Sequence, residues 1–168
     1  DGMRYIHGLN IIHGHLSPKC ILIDENFHPK IMFPPYFSEN YAEQMEISAY
    51  LDPELFYIQD ESKITPQSDV YSFAIIMNEI LTEKSPYYEW KSNDICSMRL
   101  RIMNGKRPLM SDNVNAKMKS LISSCWKSFD EEQPSFDEIF NYLFDDLSSY
   151  FGDEIEVDIV KSYFDESK

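Results

Sequence analysis

Five residues able to move protons, attack electrophiles or bind metals fall within eight positions of this chain: His13, His15, Ser17, Lys19 and Cys20. Imidazole titrates near neutrality, so His15 is a candidate general base. The other reading of His15 is a ring that fills a gap and hydrogen-bonds the backbone. Loop positions two apart can both face an ion, so His13 and His15, with His7 upstream, form a conceivable metal set. The thiol of Cys20 suits softer metals rather than hard cations.

A loop of this kind needs rigid supports. The stretch IIHGHLSPKCILID, from Ile11 to Asp24, supplies candidates. Ile11 and Ile12 read as an entering apolar strand. Gly14 and Pro18 read as bends, and Ile21–Ile23 as a buried strand. Upstream, Asp1–Gly8 reads as the last two turns of a helix, with Met3 and Ile6 on one side and Gly8 as its stop. Downstream, Asp24-Glu25-Asn26 reads as a turn, and Lys30, Ile31 and Met32 as another short strand. FPPYF from Phe33 is a rigid aromatic turn, because two prolines fix φ.

The rest of the chain reads as helices. Thr65 as cap and Pro66 at the first helical position open the strongest of them. Val70, Phe73, Ala74, Met77, Ile80 and Leu81 follow its 3.6-residue period, which predicts burial of Phe73, Met77 and Ile80. A second helix spans Asp94 to Met103. Met118, Leu121, Ile122 and Cys125 mark a third. Ser135 and Glu138 form a capping box ahead of a fourth, with Phe136, Ile139, Phe140, Leu143, Phe144 and Leu147 on its apolar face. Phe151, Ile155, Ile159 and Val160 suggest one more helical face.

In this order and spacing, the motifs resemble those of eukaryotic protein kinases, and of their tyrosine-kinase-like group in particular. The opening stretch is similar to the catalytic loop H-R-D-L-x-x-x-N with its following apolar strand. His13, Leu16 and Ile21–Asp24 match. Gly14 stands at the Arg position, His15 at the catalytic Asp, and Cys20 at the Asn that binds magnesium. Phe33, thirteen residues after Cys20, stands at the Asp of D-F-G, the main magnesium ligand, and Pro34 and Pro35 replace its Phe and Gly. Tyr50 to Glu54 resembles the segment ending in A-P-E. There Pro53 and Glu54 match, Asp52 does not, and Ile47 stands where most members carry Thr. DVYSFAIIMNEIL resembles the long central helix, whose Asp, here Asp69, anchors the catalytic-loop backbone. Without the family, Asp69 is a first-turn acid complementing the helix dipole. Arg107-Pro108 and the Cys125-Trp126 pair are common in the same group. Gln133 stands at an Arg that pairs with the Glu of A-P-E, so Glu54 lacks its expected partner.

The resemblance implies an α+β protein kinase-like fold. This segment, mostly α with two short strands, corresponds to the helical C-terminal lobe over residues 1–147, with an acidic tail over 148–168. An N-terminal lobe would carry the Gly-rich loop and the phosphate-binding lysine. Lys19 and Lys30 do not stand in for that lysine, and the five glycines, at 2, 8, 14, 105 and 152, form no phosphate-cradling loop. ATP and magnesium are implied by the family alone, and no cofactor is expected for this chain itself. His13 is implied to tie the loop to the core, and Asp69, Pro53, Glu54 and Trp126 to be structural. Two functions stay open. One is a catalytically dead kinase-like module that binds other proteins or a separate N-terminal lobe. The other is a divergent serine/threonine or tyrosine kinase completed by such a lobe. Weak stability and open apolar surface are expected of the segment alone.

Composition narrows the alternatives. Of 168 residues, 15 are basic and 29 acidic, a formal net charge of −14. Nucleic-acid surfaces and docking on anionic lipid both need basic patches, so neither is expected. Three separated cysteines without a C-x-x-C pair indicate neither a zinc site nor a disulfide framework. A cytoplasmic setting is the expectation. Tyr36, Ser38, Tyr41 and Ser48 are possible phosphate acceptors, each also readable as a polar loop residue.

Overall fold

In the computed structural model, the described residues are mostly helical, with short helices around one long one. The structure describes residues 1–33, 48–56, 64–90, 94–128, 131–151, 158, 160 and 161. The expectations for Pro34 and Pro35, Tyr36, Ser38, Tyr41, Ile47, Ile155 and Ile159 lie outside them. Helix α1 spans Gly2–Gly8, and strands β1 (Ile21–Ile23) and β2 (Pro29–Ile31) form an antiparallel hairpin with Ile21 opposite Ile31. Further helices are α2 (Pro66–Thr82), α3 (Ile95–Met103), α4 (Ala116–Cys125), α5 (Phe136–Asp145) and α6 (Leu147–Phe151). Single 3-10 turns sit at Pro18–Cys20 and Pro53–Leu55. A mostly helical segment with a two-stranded sheet is the architecture of the kinase-like C-terminal lobe that the motifs imply.

The central helix α2 is the axis of the core. Val70, Tyr71, Ala74 and Ile75 are buried on it, and α4 packs alongside with Met118, Ile122 and Cys125. Its start follows from the sequence: Pro66 occupies the first turn, and the Thr65 amide donates to Ser68 Oγ at 3.3 Å. Helix α5 opens on the capping box. Ser135 Oγ accepts from the Glu138 amide at 3.2 Å, and Glu138 Oε2 accepts from the Ser135 amide at 2.8 Å. Packing continues past residue 147. Tyr150 is buried in the core, and its carbonyl accepts from Asn115 Nδ2 at the start of α4.

Several expectations are corrected. Ile11 and Ile12 form no strand. The Ile11 amide donates instead to the Ile6 carbonyl at 2.9 Å, which closes the end of α1. The helix ends at Gly8 as expected, and the left-handed turn after it comes at Asn10, φ 57°. Strand β1 forms where expected but is not buried: Leu22 is 52% and Ile23 59% exposed. A hairpin of two strands has cover on one side at most, and only Ile21 and Ile31 pack against the core. Pairing in β2 begins at Pro29 rather than Lys30 and ends before Met32, whose amide donates to the Cys20 carbonyl at 2.8 Å. In α2, Met77 is buried and Phe73 half-buried against Phe136, but Ile80 is 68% exposed. Phe73 and Ile80 lie seven residues apart on one face, and α5 covers that face at Phe73.

Candidate functional site

The loop from Ile11 to Cys20 is fixed by one carboxylate. Asp69, in the first turn of α2, is fully buried. Its Oδ2 accepts from the His13 amide at 2.8 Å, and its Oδ1 from the Gly14 amide at 2.8 Å. A third donor, Nε2–H of His7 on α1, reaches Oδ2 at 2.8 Å. A buried carboxylate left bare would be heavily penalised, and three donors satisfy it while matching two loop amides that have no ladder to join. The dipole of α2 favours the same negative charge in its first turn.

Gly14 is required by this geometry. Its φ is +78°, in the left-handed region, and a Cβ there would lie 3.1 Å and 3.2 Å from the Cγ2 and Cδ1 of Ile64. Both the backbone angle and the close approach exclude a side chain without rearrangement.

His13 is buried, and both of its ring nitrogens are engaged. Nε2 donates to the Met32 carbonyl at 3.0 Å, and Nδ1 accepts from the His15 amide at 3.3 Å. These partners fix the orientation of the ring. The ring lies against Phe33, with centroids 4.8 Å apart and planes at 21°. Phe33, which the resemblance sets at a metal-ligand position, thus caps the loop's histidine. Cys20 is buried as well: its thiol donates to the His15 carbonyl at 3.4 Å and lies 3.6 Å from Ser17 Oγ. A hard, six-coordinate cation needs oxygen ligands. A thiol turned into its own loop and a phenyl ring do not fit magnesium at these two positions. The conceivable set of His7, His13 and His15 is not assembled for a metal either, because His7 serves Asp69 and His13 serves the backbone. Among the described residues no group of three or more His, Cys, Asp or Glu could hold an ion.

The remaining motif residues lie away from this loop. Pro53 opens a 3-10 turn whose cap is Asp52, with Oδ1 accepting from the Glu54 amide at 3.0 Å. Burial raises the carboxyl of Asp52 above its usual range, and the Glu54 amide, Ser68 and Arg107 act against that rise. Glu54 is exposed. Gln133, at the position of its family partner, donates from Nε2 to the carbonyls of Cys125 and Lys127 at 2.9 and 3.0 Å. Trp126 is buried, and its carbonyl accepts from Arg107 Nε at 2.9 Å. Burial pushes the Cys125 thiol up to about 12, which makes it a packing residue rather than a nucleophile.

Two contacts escaped the sequence reading. One is the bond from His7 to Asp69, 62 positions away, for which no local pattern gives a signal. The other joins α3 to Ser48: Arg99 places Nε and Nη2 3.1 and 2.9 Å from the Ser48 hydroxyl, which is buried beneath it. Ser48, considered above as a phosphate acceptor, is therefore covered in this structure.

Comparison with known proteins agrees with the geometry. The family described as protein tyrosine and serine/threonine kinase matches residues 1–143. The human receptor-interacting serine/threonine-protein kinase 1 is 31% identical across 95% of this chain and 26% of its own length. The RGS domain-containing serine/threonine-protein kinase A of Dictyostelium discoideum is 32% identical across 84% of this chain and 12% of its own. Mouse ankyrin repeat and protein kinase domain-containing protein 1 is 29% identical across 80% and 20%. The chain thus spans about a quarter or less of the length of these relatives.

Proposed function

Since the chain belongs to the protein tyrosine and serine/threonine kinase family, we propose that it is a catalytically inactive, tyrosine-kinase-like member acting as a protein-interaction module in signalling. The observation that carries this reading is the pairing of Phe33 with His13 beside the inward-turned thiol of Cys20. Phosphoryl transfer asks the protein for positioning and for neutralisation of charge through metal ions. Here the two metal-ligand positions hold a ring and a buried thiol, and the base position holds His15. Loss of one electrostatic contributor at an active site typically lowers the rate about 10²–10³-fold. Several lost together put transfer below detection, although such losses do not simply add.

The test is incubation with labelled ATP, magnesium or manganese, and a generic protein substrate. Incorporation no higher than that of a His15→Ala, Phe33→Ala double variant is expected. Clear incorporation above that variant overturns the reading. A divergent kinase completed by an N-terminal lobe is the second reading. It is favoured by the intact scaffold, in which Asp69 still holds the His13 and Gly14 amides. Other proteins, or such a lobe, are the proposed partners, and the cytoplasm the proposed location. No described helix is long and apolar enough to cross a membrane.

A further inference from the structure

We propose that the chain's own C-terminal segment, through Tyr163 and Phe164, fills the apolar groove between α1, the hairpin and α5. The groove measures about 630 Å³, within the usual range of ligand pockets. Its walls include Ile6 from α1, Ile31 from the hairpin, and Phe136, Phe140 and Phe144 along α5. The cations at its edge are engaged: Arg4 with Asp1 and Asp137 at 3.1 and 2.9 Å, and Lys30 with Asp24 at 3.6 Å. Apolar surface rather than charge therefore selects the occupant. Large aromatic side chains suit such a wall, since each buries about 150–250 Å².

The chain itself brings such side chains to the groove. Val160 forms part of the wall, and Lys161 Nζ lies over the Phe144 ring at 5.9 Å. Residues 158, 160 and 161 are helical. Tyr163 and Phe164 lie outside the described residues. They stand three and four positions after Val160, the spacing that sets side chains on one helical face. At about 100° per residue, Ser162, Asp165 and Glu166 fall on the opposite side, and all three are polar. Reach sets no obstacle. Phe164 follows Lys161 by three residues, so even a fully extended chain keeps it within about 10–11 Å. A groove filled in this way opens to another segment only after Tyr163 and Phe164 leave it, whether or not the chain transfers phosphate.

The test treats the whole chain with chymotrypsin, which cuts after accessible aromatic residues. Mass spectrometry follows the initial release of the pieces beyond Tyr163 and Phe164. The reference is the free peptide of residues 160–168, which carries the same two bonds. Cleavage of a docked segment tracks the fraction of time it spends released, so release from the chain should be about tenfold slower than from the peptide, or slower still. Phe144→Asp removes part of the wall. It should bring release to within about twofold of the peptide, with the urea midpoint showing that the variant folds. A second variant, Tyr163→Ser with Phe164→Ser, changes no described residue and leaves the core intact. In it the amides of α1 and α5 should exchange with deuterium faster than in the wild type, and those of α3 at the same rate. Release at the rate of the peptide overturns the proposal. So does wild-type release from a folded Phe144→Asp, or exchange in α1 and α5 that ignores the double variant. Phosphate incorporation reads the inactive assignment separately, so each can fail alone.

Discussion

Asp69 places a carboxyl group out of contact with water, and what keeps it there is three donors at 2.8 Å. Removing the carboxylate strands two amides and an imidazole N–H at once. Each buried unsatisfied group costs about 1–3 kcal/mol. Asp69→Ala should therefore lower stability by at least about 3 kcal/mol, read from urea unfolding. A loss below about 1 kcal/mol would show that water reaches the loop and replaces the carboxylate. Asp52 makes the opposite prediction. Its folded carboxyl is raised by burial, so the folded state holds a proton that the unfolded state gives up above the ordinary value of 3.8. Stability from this group is present at low pH and is lost as pH rises from there through the raised value. Asp52→Asn keeps an oxygen for the Glu54 amide and removes the titration. The stability difference, variant minus wild type, should grow in favour of the variant as pH rises through that window. A difference independent of pH would refute the assignment.

At the scale of elements, α2 shows why hydrophobic periodicity alone misplaces a residue. Val70, Tyr71, Ala74, Ile75, Ile76 and Met77 are all buried, so the middle of this helix is covered on more than one side. A 3.6-residue stripe marks a buried face only where the opposite face meets water. Met77→Ala should cost about 2–5 kcal/mol, as buried truncations do. Ile80→Gln should stay within about 0.5 kcal/mol, as exposed substitutions do. Comparable losses at the two positions would contradict the packing described. Ser135→Ala should cost about 1 kcal/mol through the lost capping box. The same physics sets what was legible in the sequence. Helix starts at Pro66 and Ser135 were readable because caps are local chemistry. The pairing of Asp69 with the His13 and Gly14 amides was readable because two motifs point at one another. The exposure of Leu22 and Ile23 was not, since a short apolar run reads alike whether its faces are covered or bare. Nor were the bonds of His7 to Asp69 and Arg99 to Ser48, because each joins segments more than 50 positions apart.

At the scale of the whole molecule, apolar surface is open around the hairpin. A groove of about 630 Å³ opens between α1, the hairpin and α5, lined by Met3, Ile6, Ile21, Ile31, Phe136 and Phe140 among others. The hairpin beside it exposes Leu22, Ile23 and, at its turn, Phe27, which is 85% open to solvent. Surface of this extent marks a binding region or an aggregation liability. The folded chain should therefore enhance the fluorescence of an anilinonaphthalene dye before any unfolding begins. Leu22→Thr, Ile23→Thr and Phe27→Ser together should reduce that signal with little change in melting temperature. A native-state signal at the level of free dye would show that this surface is covered.

Gly14 carries a consequence for restoring the motif the loop resembles. That motif has an arginine here, but the backbone stands at φ +78° with Ile64 methyls 3.1–3.2 Å from where a Cβ would go. Gly14→Arg would therefore hold a strained left-handed backbone and press the Ile64 methyls aside. Reverting this one position is a change of packing as well as of charge, and Ile64 is the residue that would have to yield.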